Sequence, residues 1–100
     1  MKETSLMFAI RAALTSTGRV TLWRNNCGVD LDRKVRYGLG VGSADLIGIL
    51  KPDGRFIAFE VKTETGRLSS DQKLWIAAVR NAGALAFVVR SVEEALACLP

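Results

Sequence analysis

Two apolar segments joined by a four-residue turn constrain the fold of this chain more than any other feature. The segments are "DLIGIL", residues 45–50, and "RFIAFEVK", residues 55–62, and both have the length and apolar content of buried strands. Between them, "KPDG" places Pro52 where it presets a turn and Gly54 where it closes one. The sequence therefore predicts an antiparallel hairpin of two core strands.

The regions that flank this hairpin are predicted from their periodicity. Apolar residues recur at helical spacing from Glu3 to about Thr15, and "VTLWR", residues 20–24, has the pattern of a short strand. "ALAFVV", residues 84–89, is typical of a buried strand. Residues 25–43 are polar and rich in glycine, so this segment is either a functional loop or contains a strand that the pattern conceals.

Two capping boxes predict the remaining helices. Ser69 is followed three residues later by Gln72, and Ser91 is followed in the same way by Glu94. Gly83 is expected to cap the end of the first of these helices. The resulting order, α-β-β-β-α-β-α, indicates an α/β fold with a mixed central sheet flanked by helices. We expect a single domain over residues 1–100.

The absence of histidine excludes whole classes of enzyme. A chain without histidine has neither a Ser-His or Cys-His catalytic pair nor a histidine-ligated zinc site, so any catalysis must use carboxylates, lysines and a metal. The net charge of +4 favours a polyanionic partner such as nucleic acid. We recognise no signal peptide and no membrane span. The separated Cys27 and Cys98 suit a reducing environment, so an intracellular, cytoplasmic location is expected.

Acidic and basic side chains gather at one end of the predicted hairpin. Pairing Leu50 with Arg55 across the turn places Asp45 opposite Glu60, and opposed Cβ atoms lie ~4.5–5.5 Å apart. Lys62 shares a strand face with Glu60. Two carboxylates this close repel each other unless a cation lies between them, and Mg²⁺ prefers oxygen ligands. A neighbouring lysine suits metal-assisted hydrolysis of a phosphodiester. The alternative interpretation is a cross-strand ion pair at the end of a sheet.

The motifs around this site resemble a known family. "SAD", "FIAFEVK" and "TETGRLSSDQKLW" together are similar to the PD-(D/E)XK nuclease superfamily, and most similar to its VRR-NUC domain, including the small stand-alone phage-type members. The resemblance is densest from Gly40 to Trp75. It implies a restriction-endonuclease-like α-β-β-β-α-β core and a nuclease of phage or bacterial host cells. One departure is Ala44, where the name of the superfamily has proline.

The resemblance also implies a role for individual residues. Asp45, Glu60 and the carbonyl of Val61 would bind Mg²⁺ or Mn²⁺, and Lys62 would be the catalytic lysine. Two further residues match catalytic positions of the family, namely Gln72, which would position DNA or water, and Glu3, an acid of the first helix. From the residues alone, Gln72 completes a helix cap and Glu3 favours a helix N-terminus, so both roles stay open.

DNA contacts are predicted on basic and small residues outside this cluster, namely Arg33, Lys34, Arg36, Ser43 and Lys73. The three cations of residues 33–36 either contact phosphates or belong to a solvated loop. The glycines of "GLGVG", residues 38–42, either let the DNA backbone approach the site or make a flexible hairpin. Trp75 is expected in the core rather than as a platform on which a base stacks.

The residues and the resemblance together predict a Mg²⁺- or Mn²⁺-dependent DNA endonuclease. Similarity to stand-alone VRR-NUC proteins implies a homodimer that acts on branched DNA such as four-way junctions. The dimer surface is expected either at residues 23–29 with the glycine-rich stretch that follows or on the outer face of the last helix, residues 92–99. The first is preferred, because a partner subunit would order the irregular segment of residues 25–43. The alternative function is a nucleic-acid-binding module of the same fold that cleaves little or not at all. A base-specific restriction enzyme would need recognition loops for which the chain has little room.

Overall fold

A computed structural model describes all of residues 1–100. The chain forms three helices and six strands, five of which follow one another between the first two helices. They are α1 (Glu3–Ser16), β1 (Val20–Arg24), β2 (Gly28–Asp30), β3 (Val35–Tyr37), β4 (Leu46–Leu50), β5 (Phe56–Val61), α2 (Ser70–Asn81), β6 (Leu85–Val89) and α3 (Val92–Ala97). None of the helices has the length and apolar content that would let it span a bilayer.

The central sheet has four strands in the order β1-β4-β5-β6. Strand β4 pairs antiparallel with both β1 and β5, whereas β5 pairs in parallel with β6. One face of the sheet packs against α1 and α3, and the other packs against α2. This arrangement confirms the predicted α/β fold with a mixed sheet between helices.

Alternation along β5 divides its side chains between the two faces. Ile57, Phe59 and Val61 are buried in the larger core cluster with α1 and α3, while Ala58 is buried on the α2 side. Full burial of each large apolar side chain contributes about 1.5–3 kcal/mol to folding. Because successive residues point to opposite faces, Glu60 must lie on the α2 face, next in line after Ala58.

The turn between β4 and β5 sets their register as predicted. Leu50 N donates to Arg55 O at 2.9 Å, and Gly54 N donates to Leu50 O at 2.9 Å. Ile49 pairs with Phe56 and Leu46 pairs with Phe59. Continued by one residue, this register brings Asp45 opposite Glu60.

Residues 25–43 contain two strands that the sequence pattern did not reveal. Strands β2 and β3 form an antiparallel two-stranded sheet separate from the central one, with Gly28 opposite Tyr37 and Asp30 opposite Val35. We call residues 28–37 the β2–β3 hairpin. Each strand has three residues, and neither has a buried residue. Without a buried face there is no alternation of apolar and polar residues for a sequence pattern to detect.

The ends of α2 and α3 each depart from the predictions in one respect. Ser69 and Gln72 form the full capping box of α2, and Ala82 rather than Gly83 is the C-terminal cap. At α3, Ser91 Oγ accepts from Glu94 N at 3.0 Å, but Glu94 Oε2 accepts from Arg90 N at 3.3 Å instead of closing the box on Ser91. The predicted second capping box is therefore only half formed.

Candidate active site

Asp45 and Glu60 meet where β4 begins and β5 ends. Asp45 is fixed at two points, since its Oδ2 accepts from Val61 N at 2.9 Å and its backbone oxygen accepts from Asn25 N at 2.8 Å. Glu60 is only 2% exposed. The carboxylate of Asp45 thus accepts the Val61 N–H in place of a backbone carbonyl of β4. This bond holds the Asp45 side chain beside Glu60.

Glu60 is an acid that the protein keeps neutral in the absence of a cation. The pKa of Glu60 is raised from its ordinary value of 4.5 to about 9, first by burial and then by a hydrogen bond to Asp45 and the charge of that residue. Glu3 raises this pKa further, and only Lys62 opposes these effects. Oε2 of Glu60 is buried and has no hydrogen-bond partner within the chain.

Lys62 follows on the same strand face as Glu60. Its backbone nitrogen donates to Val89 O at 3.0 Å, which ties the end of β5 to β6. The side chain is half-buried, and its charge acts directly on the pKa of Glu60. The structure therefore brings together the acid, acid and lysine that the sequence predicted for one end of the hairpin.

The two supporting residues have different surroundings. Glu3 is the first residue of α1 and is exposed, and its charge reaches Glu60. Gln72 lies in the first turn of α2, where its Oε1 accepts from Ser69 N at 2.8 Å and its own N–H donates to Ser69 Oγ at 3.1 Å. The capping role of Gln72 is thus observed, and a catalytic role would be additional to it.

The donor set fits a hard divalent cation better than a soft one. No group of three or more His, Cys, Asp and Glu side chains is placed to hold a metal, so a bound ion would need backbone, water or phosphate oxygens as well. Mg²⁺ and Mn²⁺ accept such mixed oxygen ligands, and Mg²⁺ is often held through one or two carboxylates. The buried Oε2 of Glu60, which has no hydrogen-bond partner, is the observation that fits a role as a cation ligand.

The predicted DNA-contacting residues separate into exposed and buried ones. The three cations of residues 33–36 lie in the exposed β2–β3 hairpin, where Arg33 is 3.9 Å from Asp30, and Lys73 is exposed on α2. Ser43, in contrast, is 7% exposed. Its Oγ donates to Gly40 O and accepts from Asn25 Nδ2, both at 2.7 Å. Ser43 therefore holds the loop together and offers little surface to DNA.

Asn25 is a structural residue that the sequence did not single out. Its Nδ2 donates to Ser43 Oγ at 2.7 Å and to Ala44 O at 2.9 Å, while its Oδ1 accepts from Leu39 N at 3.3 Å. Together with the bond from Asn25 N to Asp45 O, these contacts hold the segment that leads into Asp45. The only signal in the sequence is its place directly after a strand, where asparagine often bonds to nearby backbone.

The larger of two cavities has neither Asp45 nor Glu60 in its walls. Its volume is about 540 Å³, and its walls come from the segments that follow β5 and β6, together with Met1 and Leu6. A smaller cavity of about 220 Å³ lies between the base of the β2–β3 hairpin and residues 40–42. The smaller cavity also lacks both acids in its walls, so the acidic pair lies in neither depression.

Comparison with known proteins places these features in context. The model of one family, the VRR-NUC domain, matches residues 11–93. A solved structure described as a VRR_NUC domain is similar to the chain with a TM-score of 0.67 and 23% identity, over 95% of this chain and 90% of that chain. None of the curated proteins matches the chain. At this level of identity, the similarity to the solved structure shows the fold.

Proposed function

Because the chain belongs to the VRR-NUC domain family of nucleases, we propose that it is a Mg²⁺- or Mn²⁺-dependent endonuclease that cleaves branched DNA. One observation carries this proposal above the others. A glutamate that is 2% exposed leaves one carboxylate oxygen without a partner, directly beside a fixed aspartate and two residues before a lysine. Burying an acid in this way is costly unless the site serves a ligand.

The metal would be held by Asp45, Glu60 and the carbonyl of Val61. When bound, such an ion polarises a phosphodiester and lowers the pKa of a water molecule. The hydrogen bond from Val61 N to Asp45 Oδ2 keeps the aspartate oriented before any ligand arrives. Loading a cation would replace the proton on Glu60, since the charge of the ion compensates for the burial that raises its pKa.

Lys62 would act on the water and the phosphate. Its ammonium group can donate hydrogen bonds to the attacking water and to a phosphate oxygen on which negative charge develops. Glu3, at the start of α1, has a charge that reaches Glu60 and is a candidate for ordering that water. Gln72, in the first turn of α2, would contribute through its amide NH₂, because its Oε1 is already bonded to Ser69.

Exposed cations supply a surface for the phosphates. Lys34 and Arg36 have no acidic partner, and Arg33 has only a long contact to Asp30. Lys73 on α2 adds a fourth cation. We infer that this set contacts the DNA backbone, which gives affinity without sequence specificity. Selectivity for branched DNA would then depend on the shape of the substrate.

A homodimer would provide the paired sites that a two-fold symmetric junction requires. The surface that favours it is the apolar one around residues 23–43, where Trp23 is 48% exposed and several other large side chains are exposed as well, namely Val29, Tyr37, Leu39 and Val41. The exposed part of α3 is smaller and includes Leu96. A contiguous patch of such exposed apolar side chains would mark an interaction surface.

The test is cleavage of a panel of DNA structures by the purified protein with Mg²⁺, Mn²⁺ or EDTA. Four-way junctions, flaps, nicked duplexes and linear duplexes of the same sequence should be compared. We expect metal-dependent cutting that is fastest on branched substrates, and sedimentation should show a dimer. Binding without cutting in either metal would favour the alternative, a nucleic-acid-binding module. Equal cutting of all substrates would contradict selectivity for branches.

A further inference from the structure

The turn that follows Lys62 is tied to Arg90, a residue with no role in the proposed site. Gly66 N donates to Thr63 O at 3.1 Å, which closes the turn of residues 63–66. Nη1 of Arg90 donates to Thr63 O and to Gly66 O, both at 2.6 Å, and lies 3.5 Å from Glu64 O. One guanidinium nitrogen therefore holds both ends of the turn.

This turn lies beside the side chain of Lys62. A Cβ atom added to Gly66 would lie 3.4 Å from Lys62 Cδ and 3.3 Å from Thr63 Oγ1, so the aliphatic part of the lysine borders the open side of Gly66. The backbone of Lys62 is bonded to Val89 O at 3.0 Å, one residue before Arg90. The backbone of Lys62 is thus restrained by the segment that ends β6, and its stem borders the turn that Arg90 holds.

Arg90 is itself held in place. Its backbone nitrogen donates to Glu94 Oε2 at 3.3 Å, the bond that replaces the second half of the capping box of α3. Its side chain is partly buried where it meets Thr63 and Gly66. The start of α3, Arg90 and the turn of residues 63–66 consequently form one connected unit behind Lys62.

We propose that Arg90 is a positioning residue for Lys62, acting through the turn of residues 63–66. A lysine has a flexible four-carbon stem, and its ammonium group must stay at the acidic pair to act on water or phosphate. Arg90 removes part of that freedom without touching the reacting groups. Its effect on the reaction rests on the proposed nuclease function, whereas its effect on the mobility of Lys62 does not.

The test compares Arg90→Ala and Arg90→Lys with Arg55→Ala as a matched control. Arg55 also bonds a loop carbonyl, Gly83 O, at 2.8 Å through Nη2, but it lies at the opposite end of β5. The first measurement is NMR relaxation of the Lys62 side-chain methylenes in protein without DNA. We expect lower order in both Arg90 variants and no change in Arg55→Ala.

The second measurement is cleavage of a branched DNA under saturating and limiting substrate. For Arg90→Ala we expect kcat to fall about 10- to 100-fold, because small misplacements of a reacting group lower the rate by such factors. KM should change less than threefold. Millimolar guanidinium should restore part of kcat in Arg90→Ala and none in Lys62→Ala. If Arg90→Ala does not fold, Arg90→Lys, which keeps a long cationic side chain, provides the test instead.

Unchanged order of the Lys62 side chain in both Arg90 variants would overturn the proposal, whatever the cleavage rates. A loss of kcat of equal size in Arg55→Ala would also overturn it, because the effect would then be general destabilisation. If the wild-type protein cuts no DNA, the proposed function fails, while the relaxation measurement still decides whether Arg90 restrains Lys62.

Discussion

Replacing Glu60 with glutamine should stabilise the metal-free protein at alkaline pH. The pKa of Glu60 is about 9 in the folded chain and 4.5 ordinarily. Between these values the native state holds a proton that the unfolded state has lost, so the wild-type stability is complete below about pH 4.5 and falls as pH rises towards 9. A glutamine is always neutral, and its NH₂ can donate to Asp45 as a protonated glutamate does.

The size of the effect follows from the interval between the two pKa values. One proton is worth about 1.4 kcal/mol per pH unit, which gives a ceiling of about 5 kcal/mol at pH 8. Because the effective dielectric constant inside proteins is well above that of a dry interior, we expect less than this ceiling, about 2 kcal/mol, or a rise in melting temperature of about 10 °C for a chain of this size. Below pH 5 the difference between Glu60→Gln and wild type should shrink towards zero.

The assay is urea unfolding in EDTA at intervals from pH 4.5 to 9, for wild type, Glu60→Gln and the control Glu64→Gln. Glu64 is an exposed carboxylate in the turn after β5, so its variant should follow the wild-type profile. If the free energies of unfolding of Glu60→Gln and wild type run parallel across this pH range, Glu60 is not a buried acid that stays protonated in the folded protein. With Mg²⁺ or Mn²⁺ present the order should reverse, since the variant lacks a metal-binding carboxylate.

Four other substitutions, or sets of them, test separate parts of the structure. Lys62→Ala should abolish cleavage while circular dichroism and DNA binding stay close to wild type, and cutting at the wild-type rate would remove Lys62 from the mechanism. Asp45→Asn should reduce the rise in melting temperature that Mn²⁺ produces, and an undiminished rise would place the metal elsewhere. Neutralising the hairpin cations, Arg33, Lys34 and Arg36, should make DNA binding less dependent on salt. The slope of log K against log salt concentration should fall by about one unit per lost phosphate contact, and an unchanged slope would mean that the hairpin does not touch DNA. Gly42→Ala should destabilise the fold by about 1–3 kcal/mol, because the φ of Gly42 is +80° and a Cβ would lie 2.4 Å from Asp71 backbone atoms. A urea midpoint equal to that of the wild type would contradict this close approach.

The central hairpin was predictable because its signals are local. A turn with proline and glycine fixed the register of β4 and β5, and the register alone brought Asp45 opposite Glu60. Family membership was likewise accessible from the motifs of residues 40–75, and the family match over residues 11–93 confirms it. Gln72 was readable as a cap from its spacing to Ser69, and that capping role is confirmed.

Other features depend on contacts between distant parts of the chain. Arg90 meets the turn of residues 63–66, which is 24 to 27 positions away, and no local pattern marks an arginine after a buried strand as an anchor. Asn25 bonds Ser43 and Ala44, 18 and 19 positions away. The strands of the β2–β3 hairpin escaped prediction because they bury no residue. Ser43 looked available to DNA only because its burial was invisible in the sequence.

The alternation along β5 makes this strand intolerant of any change in length. Val61 points into the core between two residues that point into the site, so inserting or deleting a single residue within Phe56–Val61 would exchange the two sets. Such an insertion or deletion would place an acid in the core and a valine in the site. No single nearby substitution would restore both the core and the site. Insertions in the exposed turn at residues 51–54 leave this order intact. A library of one-residue insertions should therefore show a sharp boundary between tolerated and lethal positions where β5 begins.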